Sequence, residues 1–173
     1  CIQETQTPAV PINPINSCTN SVTIPPNSVQ YYDYAVSSNA LRVHIQATNL
    51  SGNIDMYVDD LSVNPFPGPT ANYDASENLG TADENIVHSR ASLRLIPPVN
   101  YRIAIANRES MAVTYSLCVL ETTNYIVLQN NVCFSNSLLN SHQLDAQYYA
   151  FDVATNAIQV EFATFSAQDI GLY

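Results

Sequence analysis

Apolar and polar residues alternate with a period of two along most of the chain, the pattern of strands that bury one face. The clearest run is 41–47, where Leu41, Val43, Ile45 and Ala47 face one way and Arg42, His44 and Gln46 the other. Before it come a short run at 20–24, stopped by Pro25-Pro26, and a tyrosine-dense strand over Gln30–Val36, with Tyr32 and Tyr34 on one face and Tyr31 on the opposite one. After a turn at Thr48–Asn53, Ile54–Val58 places Met56 and Val58 together, and Asp59-Asp60 ends the run. Residues 62–85 hold Pro65, Pro67, Gly68, Pro69 and Gly80 and keep no period, which predicts a long loop. Strand character returns at Ile86–Ile96, with Val87, Leu93 and Leu95 inward, and stops at Pro97-Pro98. Tyr101, Ile103 and Ile105 then alternate with Arg102, Ala104 and Ala106, and Val113, Tyr115, Leu117 and Val119 share a face that excludes Cys118. About seven strands, no helical periodicity and frequent turn signals predict an all-β, antiparallel β-sandwich.

The pattern occurs twice. Residues 30–45 read QYYDYAVSSNALRVHI and residues 147–162 read QYYAFDVATNAIQVEF, with Gln30, Tyr31, Tyr32, Val36, Asn39, Ala40 and Val43 unchanged at an offset of 117. CIQET at 1–5 meets CVLET at 118–122, and NIDMY at 53–57 meets DIGLY at 169–173. A repeat of this length is a domain, not a solenoid turn. The expected layout is a linker over 1–17, a complete sandwich over 18–120, a second linker over 121–132 and the first half of another sandwich over 133–173. In that half, Ile158, Val160 and Phe162 are expected inward. Its 41 residues are too few to close a comparable core, so the remainder is expected from outside this stretch of chain. The first linker is stiffened by Pro8, Pro11 and Pro14. The second has no proline, and its Tyr125-Ile126-Val127-Leu128 run is suited to adding a strand to a sheet edge.

Charge narrows the partners. The formal net charge is −10, from fifteen acidic residues against five arginines and no lysine. Nucleic acid needs cations to displace its counterions, so it is not an expected partner, and an anionic membrane surface is disfavoured likewise. No apolar run reaches bilayer-spanning length, so no transmembrane segment is expected. No signal peptide opens the sequence, which is expected to be a mature product or an excised piece of one.

Cysteines stand at 1, 18, 118 and 133, with sixteen residues between the first two and fourteen between the last two. Neither zinc-ligand nor redox spacing is present. Three pairings are open, and the symmetry of the repeat favours Cys1–Cys18 and Cys118–Cys133, each clamping a junction between domains. Disulfides imply an oxidising compartment, hence an extracellular or cell-surface protein.

With the strand order drawn, Gln30-Tyr31-Tyr32-Asp33-Tyr34-Ala35-Val36, Ser51-Gly52-Asn53-Ile54-Asp55-Met56-Tyr57-Val58, Tyr101-Arg102-Ile103-Ala104-Ile105 and Tyr115-Ser116-Leu117-Cys118-Val119 follow a known succession. The unit resembles the bacterial pre-peptidase C-terminal domain and related collagen-binding-type domains of secreted proteases, over roughly 20–120 and again, for the first half, over 133–173. The resemblance implies a sandwich of jelly-roll-like type that is secreted and non-catalytic, and that in some members binds calcium or matrix. The chain departs from the family's acidic motif at Asn53, and its second copy has Asp169 and Gly171 there.

Three sets of residues are candidate sites. Asp55, Asp59 and Asp60, with Asp74, Asp83 or Glu84 from the long loop, are oxygen ligands of the kind calcium takes, against the alternative of a solvated acidic rim. Tyr31, Tyr32, Tyr148 and Tyr149 are a candidate glycan- or matrix-binding surface, against the alternative that their rings fill the core. Asn49-Leu50-Ser51 is an N-glycosylation sequon in a polar turn. His44, His88 and His142 are isolated from one another, His44 on the outer strand face, and no nucleophile elbow or phosphate loop is present, so no enzyme and no organic cofactor are expected. The leading expectation is a structural or adhesive repeat of an extracellular fibre, stalk or surface layer, with neighbouring copies as partners. The alternative is a carbohydrate- or matrix-binding accessory module of a secreted hydrolase.

Overall fold

The computed structural model describes residues 9–12, 17–68, 73–90, 94–133 and 147–163. The chain divides into two compact units, Cys1–Thr123 and Asn124–Tyr173.

The first unit is a β-sandwich. Its strands are β1 (Val10–Pro11), β2 (Ser17–Cys18), β3 (Val22–Ile24), β4 (Ser28–Ala35), β5 (Arg42–Thr48), β6 (Asp55–Asp60), β7 (Asp74–Ser76), β8 (Glu84–Ser89), β9 (Asn100–Asn107) and β10 (Val113–Thr122). One sheet runs β1-β4-β9-β6-β7 and the other β2-β10-β5-β8, with β3 also on β10. All pairs are antiparallel except β1 with β4. The alternation explains the layers. Tyr32, Tyr34, Met56, Val58, Tyr101, Ile103 and Ile105 from the first sheet meet Val43, Ile45, Ala47, Val113, Tyr115, Leu117 and Val119 from the second in one core. Tyr32 and Tyr115 join their hydroxyls across it at 2.6 Å, so both rings bury without an unpaired oxygen. At the turn into β6, Gly52 approaches β10 so closely that a Cβ would stand 2.9 Å from Val113 Cγ2.

Several expectations change. Cys18 is bonded to Cys118, not to Cys1, and Cys118 is therefore not bonded to Cys133. The cause is the register: β2 lies antiparallel on β10 with Cys18 directly opposite Cys118, their Cα atoms 4.0 Å apart. Cys133 is exposed with no disulfide among the described residues, and Cys1 lies outside them. The disulfide is thus a staple within one sandwich, not a clamp across a junction.

Part of the first linker belongs to the sandwich, since β1 pairs with β4 and Ile12 enters the core, its N–H donating to the Asp33 carbonyl at 3.0 Å. The expected loop 62–85 contains β7, a three-residue edge strand too short to show a period. In β8 the inward set is Glu84, Ile86 and His88 rather than Val87, a phase error of one residue. Leu95 is inward as expected, and Leu93 lies outside the described residues. Arg42, His44 and Gln46 do face away from the core, yet all three are buried, because β5 is flanked on both sides and His44 Nε2 shares a 2.9 Å hydrogen bond with Asn85 Oδ1 of β8.

In the second unit, β11 (Ile126–Val127) lies parallel to β12 (Tyr149–Ala150). Residues 151–163 form no strand, and Ile158, Val160 and Phe162, expected inward, are exposed. His142 falls outside the described residues.

Candidate functional site

The outer face of the first sheet brings charged and aromatic side chains together. Register sets Tyr31, Ala104, Tyr57 and Ala75 in one row across β4, β9, β6 and β7, and Asp33, Arg102 and Asp59 in a neighbouring row. Alanines on the middle strand leave room for the flanking rings to close over it, so Ala104, Ala106 and Tyr57 form a small second core under Tyr31 and Tyr73. The segment after β6 folds back onto this face. Phe66 meets the Tyr31 ring edge-on at 5.8 Å, and Tyr73 meets Tyr57 at 5.0 Å.

Two arginines hold the ends of the face. Arg102 makes a bidentate contact with Asp33, Nε to Oδ1 at 2.7 Å and Nη2 to Oδ2 at 2.8 Å, and donates to the Pro65 carbonyl at 2.9 Å. Its guanidinium also faces the Tyr31 and Phe66 rings at 6.0 and 5.8 Å. Hydrogen bonding to Asp33 pushes the guanidinium pKa up further. Arg108 pairs with Asp55 through Nε at 3.0 Å and donates to the Tyr57 hydroxyl, which in turn donates to Glu77 Oε1 at 2.7 Å. Burial, then the carboxylates of Glu77 and Asp55, push the Tyr57 phenol far up, so it is a neutral hydrogen-bonding group and not a nucleophile.

The candidate calcium ligands are engaged separately. Asp55 is buried against Arg108, Asp59 Oδ1 accepts the Asp60 N–H at 2.8 Å, and Asp60 Oδ1 accepts the Ser62 N–H and hydroxyl at 2.8 and 2.7 Å. Asp55 and Asp59 are four residues apart on one strand, roughly 13 Å at the usual rise. Asp74 Oδ2 lies 2.8 Å from His88 Nε2, and its Oδ1 pairs with Arg94 Nη1 at 3.1 Å. Among the described residues no three acidic, histidine or cysteine side chains come together as a metal-ion set.

Of the candidate tyrosines, Tyr32 is in the core and offers no surface, because its face of β4 points at the second sheet. Tyr31 is half-buried on the outer face. Tyr148 and Tyr149 belong to the second unit, and Tyr149 is exposed, its hydroxyl donating to Gln147 at 2.9 Å. Asn49 is exposed at φ 56°, and the sequon's Ser51 hydroxyl accepts the Thr114 N–H at 2.8 Å. No helix among the described residues is long and apolar enough to cross a membrane.

An open groove of about 280 Å³ lies where the two sheets' edge strands β7 and β8 approach, lined by Asp74, Asn85, His88 and Arg94 among others. Burial pushes His88 down, against the pull of Asp74, and leaves a neutral imidazole edge-on to Tyr101. Glu84, on the same strand, is buried with its carboxylate accepting the Asn78 N–H at 3.0 Å.

Burial pushes the Glu84 carboxyl up, while hydrogen bonds from Ser76 and Asn78 pull it down. A raised folded-state pKa gives a contribution fully present below the unfolded value and lost as pH rises through the folded one. Glu84→Gln is therefore expected to gain stability relative to the parent between about pH 4 and pH 7. Urea midpoints at the two pH values measure it, and a difference that does not change with pH would contradict it.

The described fold is similar to the pre-peptidase C-terminal domain of a collagenase from Bacillus anthracis. The two share 16% identity over 68% of this chain and 99% of that one, with a TM-score of 0.46. This is the domain type that the sequence resembles. No family model matches the chain, and no curated protein does.

The arginine networks were not among the sequence-derived candidates. Asp33 and Arg102 are 69 residues apart and Tyr57 and Arg108 are 51 apart, so no local spacing marks them. The available signal was pattern-based: Arg102 and Arg108 bracket Ala104 and Ala106 at alternate positions, the second arginine just past the end of β9.

Proposed function

We propose that the chain is a non-catalytic module of a repetitive extracellular protein, a structural or adhesive repeat of a fibre, stalk or surface layer. One observation carries this reading. The second unit repeats one pairing of the first: β11 lies parallel to the second QYY strand as β1 does to the first, with β11 one residue short of the 117-residue offset that relates the QYY strands. A disulfide that staples the sandwich agrees with an oxidising compartment, and so with a place outside the cell or on its surface. On the outer face Asp33 and Asp55 are paired with Arg102 and Arg108, an arrangement suited to a durable surface rather than to proton transfer.

Electron microscopy of the native full-length product, with its intact mass, tests the reading. Filaments or a lattice built from further copies of the 117-residue period are expected. A single copy attached to a hydrolase domain would overturn it in favour of an accessory binding module. The exposed parts of Tyr31 and Phe66 beside Arg102 favour that second reading as a stacking platform for sugar rings or matrix. It predicts glycan or collagen binding that Tyr31→Ala and Phe66→Ala weaken at least tenfold.

A further inference from the structure

A strand at the edge of a sheet carries unpaired backbone groups, and sandwiches blunt such edges with short strands, proline or charge. The first unit does so at most of its edges. β1 has two residues and ends in Pro11, β2 has two, β3 has three and is followed by Pro25-Pro26, and β7 has three, with Asp74 paired to Arg94. β8 is different. It has six residues and no proline, and its carboxylate, Glu84, sits at one end, tied to the Asn78 N–H. All six residues pair with β5 on one side, and among the described residues no strand pairs with the other side.

The ladder fixes which backbone groups lie on that other side. The Arg90 N–H donates to the Leu41 carbonyl at 3.0 Å, so every second residue before it, His88, Ile86 and Glu84, turns its backbone groups to β5. Asn85, Val87 and Ser89 turn theirs away, and the Asn85 N–H agrees with this phase by donating to Ser76 Oγ at 3.0 Å. Val87, in the middle of the strand, therefore presents both an N–H and a carbonyl to the open edge, and neither is bonded among the described residues. The open groove of about 280 Å³ is lined by Asn85, Ile86, Val87 and His88 in succession, which leaves room along this edge.

Side chains along β8 decide what fits there. The chain has a net charge of −10, so a contact between two copies needs a strip on which carboxylates do not meet. Asn85, Val87 and Ser89, the outward residues of β8, are uncharged and half-buried. Laid antiparallel on itself about Val87, the strand sets Val87 against Val87 and Asn85 against Ser89, with Ile86 against His88 and Glu84 against Arg90 on the inward side. The pairs are apolar, hydrogen-bonding or of opposite charge, and no like charges are opposed.

We propose that two copies of the chain join edge to edge through β8, antiparallel and two-fold symmetric about Val87, so that the sheet β2-β10-β5-β8 of one copy continues into the same sheet of the other. Each Val87 N–H donates to the Val87 carbonyl of the opposite copy. The occupant of the edge is a second copy because the residues of β8 are complementary to the same residues read in reverse. Such a contact is isologous and closes on two copies. It goes beyond the fibre reading and does not depend on it.

Sedimentation equilibrium tests it on the 173-residue chain, with free thiols alkylated so that the exposed Cys133 cannot join copies. A monomer–dimer equilibrium is expected, and it should tighten as added salt screens the net charge. Val87→Pro removes the outward N–H and leaves the bonds to β5 in place, and should weaken the dimer about tenfold or more. Val87→Lys and Val87→Glu set like charges face to face and should each weaken it to a similar degree. An equimolar mixture of those two should recover a heterodimer within about threefold of the parent affinity.

Recovery on mixing singles out the Val87–Val87 register, since lost folding would not be repaired by a second altered chain. Should the proline variant not fold, the charged pair decides alone. A chain still monomeric at about 1 mM, the weak end of specific association, would overturn the proposal. So would a dimer that the Val87 variants leave unchanged, or one that the lysine and glutamate variants break and their mixture does not restore. Val87-dependent dimers without filaments would leave this inference standing and sink the fibre reading; filaments from a chain that forms no Val87-dependent dimer would do the reverse.

Discussion

Replacing Cys118 by serine is expected to lower the unfolding free energy of the first unit by about 4 kcal/mol. The bond joins residues 100 apart in sequence, and in the chain-entropy account a loop of that length restricts the unfolded ensemble by roughly 4–5 kcal/mol. Domains of this kind are usually stable by about 5–15 kcal/mol, so the variant would keep only a fraction of its margin. Cys18→Ser should lose the same amount, and the double variant no more than either single one, because all three remove one bond. Cys133→Ser should leave the urea midpoint of the first unit unchanged. The set separates a staple within the sandwich from a clamp across a junction. If Cys133→Ser cost as much as Cys118→Ser, the second arrangement would hold instead.

Asn107→Ala is expected to cost about 3 kcal/mol. Asn107 is buried at the end of β9, where its Nδ2 donates to the Pro25 carbonyl at 3.0 Å and the Met111 carbonyl at 2.9 Å, and its Oδ1 accepts the Glu109 N–H at 2.9 Å. It ties the turn into β4 to the turn between β9 and β10. Alanine would leave three backbone groups without this partner, each at roughly 1 kcal/mol or more. Asn107→Asp keeps the acceptor but sets a carboxylate against two carbonyl oxygens, and should be at least as damaging at neutral pH. Urea unfolding checks both, and a loss under about 1 kcal/mol for alanine would mean that water replaces the side chain.

Strand alternation made much of this fold legible. The core residues of β5, β9 and β10 are those the period of two selects, because each strand is long and turns its large apolar side chains to one side. β7 and the inward face of β8 escaped, one for its three residues and the other because Glu84 and His88 are polar side chains turned inward, against the pattern. The disulfide escaped for a different reason. In a tandem repeat, pairing Cys1 with Cys18 and pairing Cys18 with Cys118 are equally symmetric under translation by one period, and only the register of β2 on β10 separates them. The outer face of the first sheet was out of reach because Arg102 and Arg108 find their partners through sheet order, not through spacing. Burial of Tyr32 and exposure of its equivalent, Tyr149, set a further limit: the same residue in the same motif is core or surface according to which strands pair beside it.

The claim at the centre of this account is that the first copy of the repeated stretch, 30–45, is held in a sandwich core and that the second, 147–162, is exposed. Amide hydrogen exchange of the unreduced 173-residue chain tests it most directly, by comparing peptides over 30–45 with those over 147–162. The account predicts that 30–45 exchanges only through global unfolding of the sandwich, while 147–162 exchanges within seconds. Equal protection of the two copies in the isolated chain would contradict it.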